Sequence, residues 1–231
     1  MGATEVDTIS LTRAFATGKT LVGFCLFLTQ DNFTSPFFGN VLTWPLCLKV
    51  YKREVMSGLC SAHMFYFGYW LFKMAYIQLY PIILVTLVFP HLGLTDPSPT
   101  NYLHLMASAL LSSMNSTSLG HAWGVIFDSE IVALMTADSL IKILAAAGGN
   151  LLKNRSKNFI LRTLKFLSPL TYSFELVFNR IMHENDAKGL IAGFLRITKG
   201  DAYCAKFLLV QTLVFLVIGW AVLLYKTKYQ Y

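Results

Sequence analysis

Residues Phe207–Tyr225 read FLLVQTLVFLVIGWAVLLY, a run without a single charge. Wound as a helix at about 1.5 Å per residue, it is close to the length needed to cross bilayer hydrocarbon. Lys206 precedes it, Lys226 and Lys228 follow it, and Trp220, Tyr225 and Tyr229 fall where interfacial rings belong. Composition extends this constraint to the whole chain. Of 231 residues, 55% are hydrophobic and only 13% charged, against roughly 25% charged in a soluble domain. That little charge cannot cover a water-facing surface, so lipid or a membrane-embedded partner must cover much of it. Disorder is excluded on the same grounds. The net charge of +7 does not indicate nucleic acid, because the basic residues flank apolar segments and form no basic–aromatic surface.

Further apolar stretches define the organisation. Gly58–Phe89 carries one charge, Lys73, and has Pro81 inside it. It is too long for one straight span and too short for two, so a kinked span, or a span followed by a re-entrant or surface segment, is expected. Asn101–Trp123 is rich in Ser, Thr and Asn; Ile131–Gly149 contains Asp138 and Lys142; Phe159–Ile181 contains Arg162, Lys165, Glu175 and Arg180. Each is a span or an amphipathic helix in the interface. Near the start, Leu21–Thr29 and Pro36–Val50 are two short segments separated by Asp31 and Asn32, of which one is expected to cross. The basic runs Lys49/Lys52/Arg53, Lys153/Arg155/Lys157 and Lys226/Lys228 belong on one side by positive-inside logic. An even number of crossings must then separate the first two runs, and Asn101–Trp123, the most polar candidate, is the expected exception. The fold class that follows is all-α: a polytopic transmembrane helix bundle of four to six spans with interfacial amphipathic helices, one integral membrane domain over residues 1–231.

No catalytic constellation appears. The chain has no nucleophile elbow, phosphate loop, dinucleotide fingerprint or HExxH, and its five histidines share no ligand spacing. Cys25, Cys47, Cys60 and Cys204 are scattered, without a CxxC. Neither a cofactor nor a metal is expected. Asp138 and Lys142 are four apart, so they can pair on one helix face. With Glu175 they could line an ion path; the plainer reading is an intrahelical pair plus an interfacial acid. Packing signals are better supplied. Gly120-His-Ala-Trp-Gly124 and Gly189-Leu-Ile-Ala-Gly193 are GxxxG patterns that allow close helix approach in lipid. Lys153, Arg155 and Lys157 suit anionic phospholipid headgroups, or serve as a topology signal alone.

Thr100–Gly149 resembles, in its spacing, the third and fourth spans of trimeric intracellular cation channels. Ser156–Met182 is similar to their fifth span, and Pro36-Phe-Phe38 followed by Lys52-Arg53 is similar to the layout of their first. The resemblance implies a cation pore. The sequence departs from that family in lacking its glycine-rich kinks and its lysine–glutamate–arginine run. From the residues alone, the expected function is a non-catalytic polytopic subunit packed with other membrane subunits in a larger complex. A respiratory or ATP-synthase assembly of the mitochondrial inner membrane is its expected home, with an endomembrane as the alternative. The alternative function is a small cation channel or transporter.

Overall fold

The computed structural model describes residues 2–91, 98–147, 163, 166–181 and 200–229, and among them every regular element is helical. The helices are α1 (Gly2–Met56), α2 (Ala62–Ile77), α3 (Leu79–Val88), α4 (Pro99–Ile126), α5 (Glu130–Ala147), α6 (Pro169–Ile181) and α7 (Asp201–Tyr229). A short 3-10 turn, Phe89–His91, follows α3. Two segments are long and apolar enough to cross a membrane by composition alone: Ala62–Val88 and Asp201–Lys228. The all-α membrane bundle expected from the sequence is thus the architecture observed.

Local chemistry sets the boundaries. Gly58 takes a positive φ of 73° in the turn after α1, a conformation that costs glycine little. Ser61 caps α2 by accepting from the Met64 amide at 3.4 Å, and Ser98 caps α4 by accepting from Asn101 at 3.4 Å, with Pro99 in the first turn. Between α2 and α3 the helix breaks at Gln78. Pro81 lacks the amide that would bond back to residue 77, so of the two forms expected for Gly58–Phe89 the kinked span is the one observed.

Contacts fix the direction of each helix. On α1 and α4, Asn32 bonds to Ala109 O at 3.2 Å, while a Cβ at Gly124 would meet Trp44; the two helices therefore run parallel. Between α4 and α7, Asn115 donates to Leu208 O at 3.0 Å, and Gly219 sits against Ala122, again parallel. The kinked pair α2–α3 runs the other way. Tyr66 donates to Leu216 O at 3.0 Å, and Val85 shares a cluster with Cys25 and Leu105. At one pole the ends of α1 and α7 meet, with Tyr51 Oη 2.5 Å from Thr227 Oγ1. Lys226 there pairs with Asp128 at 2.8 Å. Lys49, Lys52, Arg53, Lys226 and Lys228 all belong to these two helix ends. The third basic run, Lys153/Arg155/Lys157, lies outside the described residues.

Two sequence expectations change. First, Leu21–Thr29 and Pro36–Val50 are parts of one helix. Asn32, which reads as a break, is 2% exposed and turned inward to tie α1 to α4. Second, α5 and α6 share one pass. Ser168, just before α6, donates to Leu144 O near the end of α5 at 3.0 Å. Gln211 of α7 donates to Leu167 O at 2.8 Å, and Asn179 reaches Asp201 at 2.9 Å. The two helices have 18 and 13 residues. End to end they reach about 46 Å, close to the roughly 43 Å of α7. The described parts of these two stretches, Glu130–Ala147 and Pro169–Ile181, therefore form the lower and upper halves of a single passage.

Candidate functional site

The centre of the bundle is α4, and its polarity points inward. Ser112, Ser113, Asn115, Ser116, Thr117, Ser118 and His121 are all buried. This is the physical reason Asn101–Trp123 is no exception to the spans. A hydroxyl facing lipid would cost free energy; here Asn115, Ser116, Thr117 and Ser118 find hydrogen-bond partners inside the protein, while Ser112 Oγ, Ser113 Oγ and both His121 ring nitrogens are buried without one among the described residues. Asn115 bonds to Thr212 Oγ1 at 3.3 Å as well as to Leu208 O. Ser116 donates to Phe33 O. Thr117 donates to Ser113 O at 2.8 Å within its own helix, and Trp70 Nε1 donates to Ser118 at 3.1 Å. His121 is fully enclosed by rings, with centroids 4.4 Å from Trp44, 4.7 Å from Tyr66 and 5.5 Å from Tyr69.

The glycines singled out on α4 sit where helices touch. A Cβ at Gly120 would lie 2.6 Å from Phe37 O, and one at Gly124 2.6 Å from Trp44 Cβ. Only hydrogen fits at either position. Gly189 and Gly193 lie outside the described residues.

The three candidate ion-path residues do not converge. Asp138 and Lys142 form their i, i+4 pair at 2.5 Å on the outward side of α5, with side chains 50% and 74% exposed. Glu175 is 5% exposed and points between α6 and α7, where Cys204 Sγ lies 3.6 Å from its Oε2. It belongs to the packing of these two helices.

The outward faces differ in character. On α2–α3 they carry Leu71, Phe72, Ile83 and Leu87, and on α7 Val210, Leu213 and Val217, all well exposed. These are hydrocarbon surfaces. The exposed side chains of α1 and α5 are mixed, with Gln30 and Phe27 on α1 and Ser139, Lys142 and Met135 on α5. A cavity of about 380 Å³ opens between α1, α5 and α6, lined by Leu26, Phe27, Thr29, Gln30, Asp31, Thr34, Ala145 and Leu170. Sequence reasoning missed Asp31 because it assigned this residue to a gap between two short segments. The signal available was a lone acid flanked on both sides by helix-length apolar sequence. Among the described residues, no three His, Cys, Asp or Glu side chains gather as a metal set.

A family model described as ABC-2 type transporter matches residues 3–181. Comparison with curated proteins gives no match. The family match overturns the resemblance to trimeric intracellular cation channels. That resemblance rested on the spacing of apolar stretches, which any polytopic helical protein supplies, and two of those stretches share one pass here.

Proposed function

Since the chain belongs to the ABC-2 type transporter family, we propose that it is the membrane-embedded permease part of a transporter. The energy for transport comes from an ATP-hydrolysing partner, domain or subunit, and the substrate route runs along the mixed face of α1 and α5. The chain is integral to the membrane, and its work there is to bind and move a substrate. We assign it no hydrolytic step, because in this reading ATP hydrolysis belongs to the partner.

The observation that carries the route is the Asp138–Lys142 pair. Both charges lie on an outward surface within a membrane helix, and a charge facing lipid at the centre of a bilayer costs about 2.5 to 3.5 kcal/mol on insertion scales. The pair is tolerated if this face meets water or another protein. A second permease domain placed against α1 and α5 supplies both, enclosing a polar path and leaving α2–α3 and α7 to lipid. This reading keeps the expected partnership with other membrane subunits. Neither the fold nor the family supports a mitochondrial assembly.

The test is reconstitution with the ATPase partner. Transport should require ATP, and the double change Asp138→Asn with Lys142→Gln should lower it several-fold. Thermal stability should stay within about 0.5 kcal/mol of the parent, as for an exposed pair. Undiminished transport in the double variant would remove α5 from the route. Substrate movement by the isolated chain without ATP would sink the permease assignment.

A further inference from the structure

Among the described residues that line the cavity between α1, α5 and α6, one has a strongly ionisable side chain, Asp31. Its Oδ2 accepts a hydrogen bond from the Tyr80 hydroxyl of α3. Among the described residues, no lysine or arginine forms an ion pair with Asp31. Nearby, Thr34 Oγ1 is buried without a hydrogen-bond partner. The rest of the wall is chiefly apolar, with Leu26, Phe27 and Leu170. The volume, about 380 Å³, lies in the range of small-molecule sites.

This combination selects by charge. An anion would be repelled by the carboxylate, and a neutral apolar molecule would leave it unmatched in a poorly polar environment. A cation with an apolar body satisfies both parts of the wall. We propose that the cavity binds an amphipathic ammonium ligand, with its head on Asp31 and its body against Leu26, Phe27 and Leu170. The role of this ligand as a transported substrate rests on the permease reading; its binding does not.

Binding is therefore measured on the full chain in dodecyl maltoside, whose headgroup is uncharged, without ATP or an ATPase. The probes are octylammonium, 1-octanol and octyl sulfate, corrected against empty micelles. Octylammonium should bind saturably and about tenfold or more tighter than octanol, the scale of a charge-assisted hydrogen bond, and octyl sulfate should not bind. Asp31→Asn should bring octylammonium to the level of octanol, while Glu130→Gln, at the start of α5, should leave the preference intact. Leu170→Trp, which fills the cavity, should abolish saturable binding. This result tests the site even if the Asp31 variant does not fold. Equal binding of amine and alcohol, or saturable ammonium binding that survives in Leu170→Trp, would overturn the proposal. Adding phosphatidylethanolamine separates the two sources of an ammonium head: competition identifies a lipid, and its lack identifies a free amine. If ATP-driven transport fails while ammonium preference holds, the permease reading falls and this site stands. Transport without preference has the opposite meaning.

Discussion

At Gly124 a single hydrogen atom decides how closely α1 and α4 approach. The added Cβ would lie 2.6 Å from Trp44 Cβ and 2.7 Å from its Cδ1. Trp44 is fully buried and stacked on Tyr69 at 4.9 Å, so the indole has no room to retreat. Gly124→Leu should therefore destabilise the isolated chain by about 1 to 3 kcal/mol, the usual cost of overpacking, read as a lower unfolding midpoint in detergent. Gly68, on α2, has nothing within 4 Å of its missing Cβ. Gly68→Ala should leave stability unchanged or raise it by up to about 1 kcal/mol through lost chain entropy. If the two substitutions behaved alike, close approach would not be the reason for Gly124. The GxxxG spacing was visible in the sequence, but its partner was not. Nothing local to residues 120–124 indicates that Phe37 and Trp44 are the atoms opposite.

At the scale of elements, the joint between α5 and α6 is the least predictable feature. Each helix alone is short, and each carries charge, so periodicity leaves open whether it crosses or floats. Two hydrogen bonds to main-chain carbonyls hold the joint: Ser168 to Leu144, and Gln211 to Leu167. Gln211→Met keeps the volume and removes the second bond. It should cost about 1 kcal/mol and raise amide exchange across 169–181 more than across α4. Unchanged exchange in α6 would mean that another contact holds it. For α4 the outcome is opposite to the sequence expectation. Hydropathy averages over all faces of a helix and so counts Ser113, Asn115 and Ser116 against insertion. In the fold Asn115 donates to Leu208 O of α7 and Ser116 to Phe33 O of α1, so these two meet protein acceptors in place of lipid.

For the whole molecule the passes alternate: α1 toward the basic pole, α2–α3 away, α4 toward, α5 with α6 away, and α7 toward. With the basic ends of α1 and α7 at one pole, the positive-inside rule predicts that this pole is cytoplasmic. In a background lacking Cys25, Cys47, Cys60 and Cys204, single cysteines at positions 52 and 228 should react with an impermeant maleimide from the same side, and one at position 100 from the other. Labelling of 52 and 228 from opposite sides would break the topology.

The sequence by itself determined the solvent of this protein and its helical class. Transfer to hydrocarbon is nearly additive along a chain, so Phe207–Tyr225 and the kinked segment after Gly58 announce themselves without neighbours. Only the tertiary structure decided that α4 is central, that two marginal helices make one passage, and that Asp31 stands in a cavity instead of a loop. The cost of a polar group in a membrane is set by the atom that meets it, and that atom is supplied from tens of residues away: Ala109 for Asn32, Leu208 for Asn115, Tyr80 for Asp31.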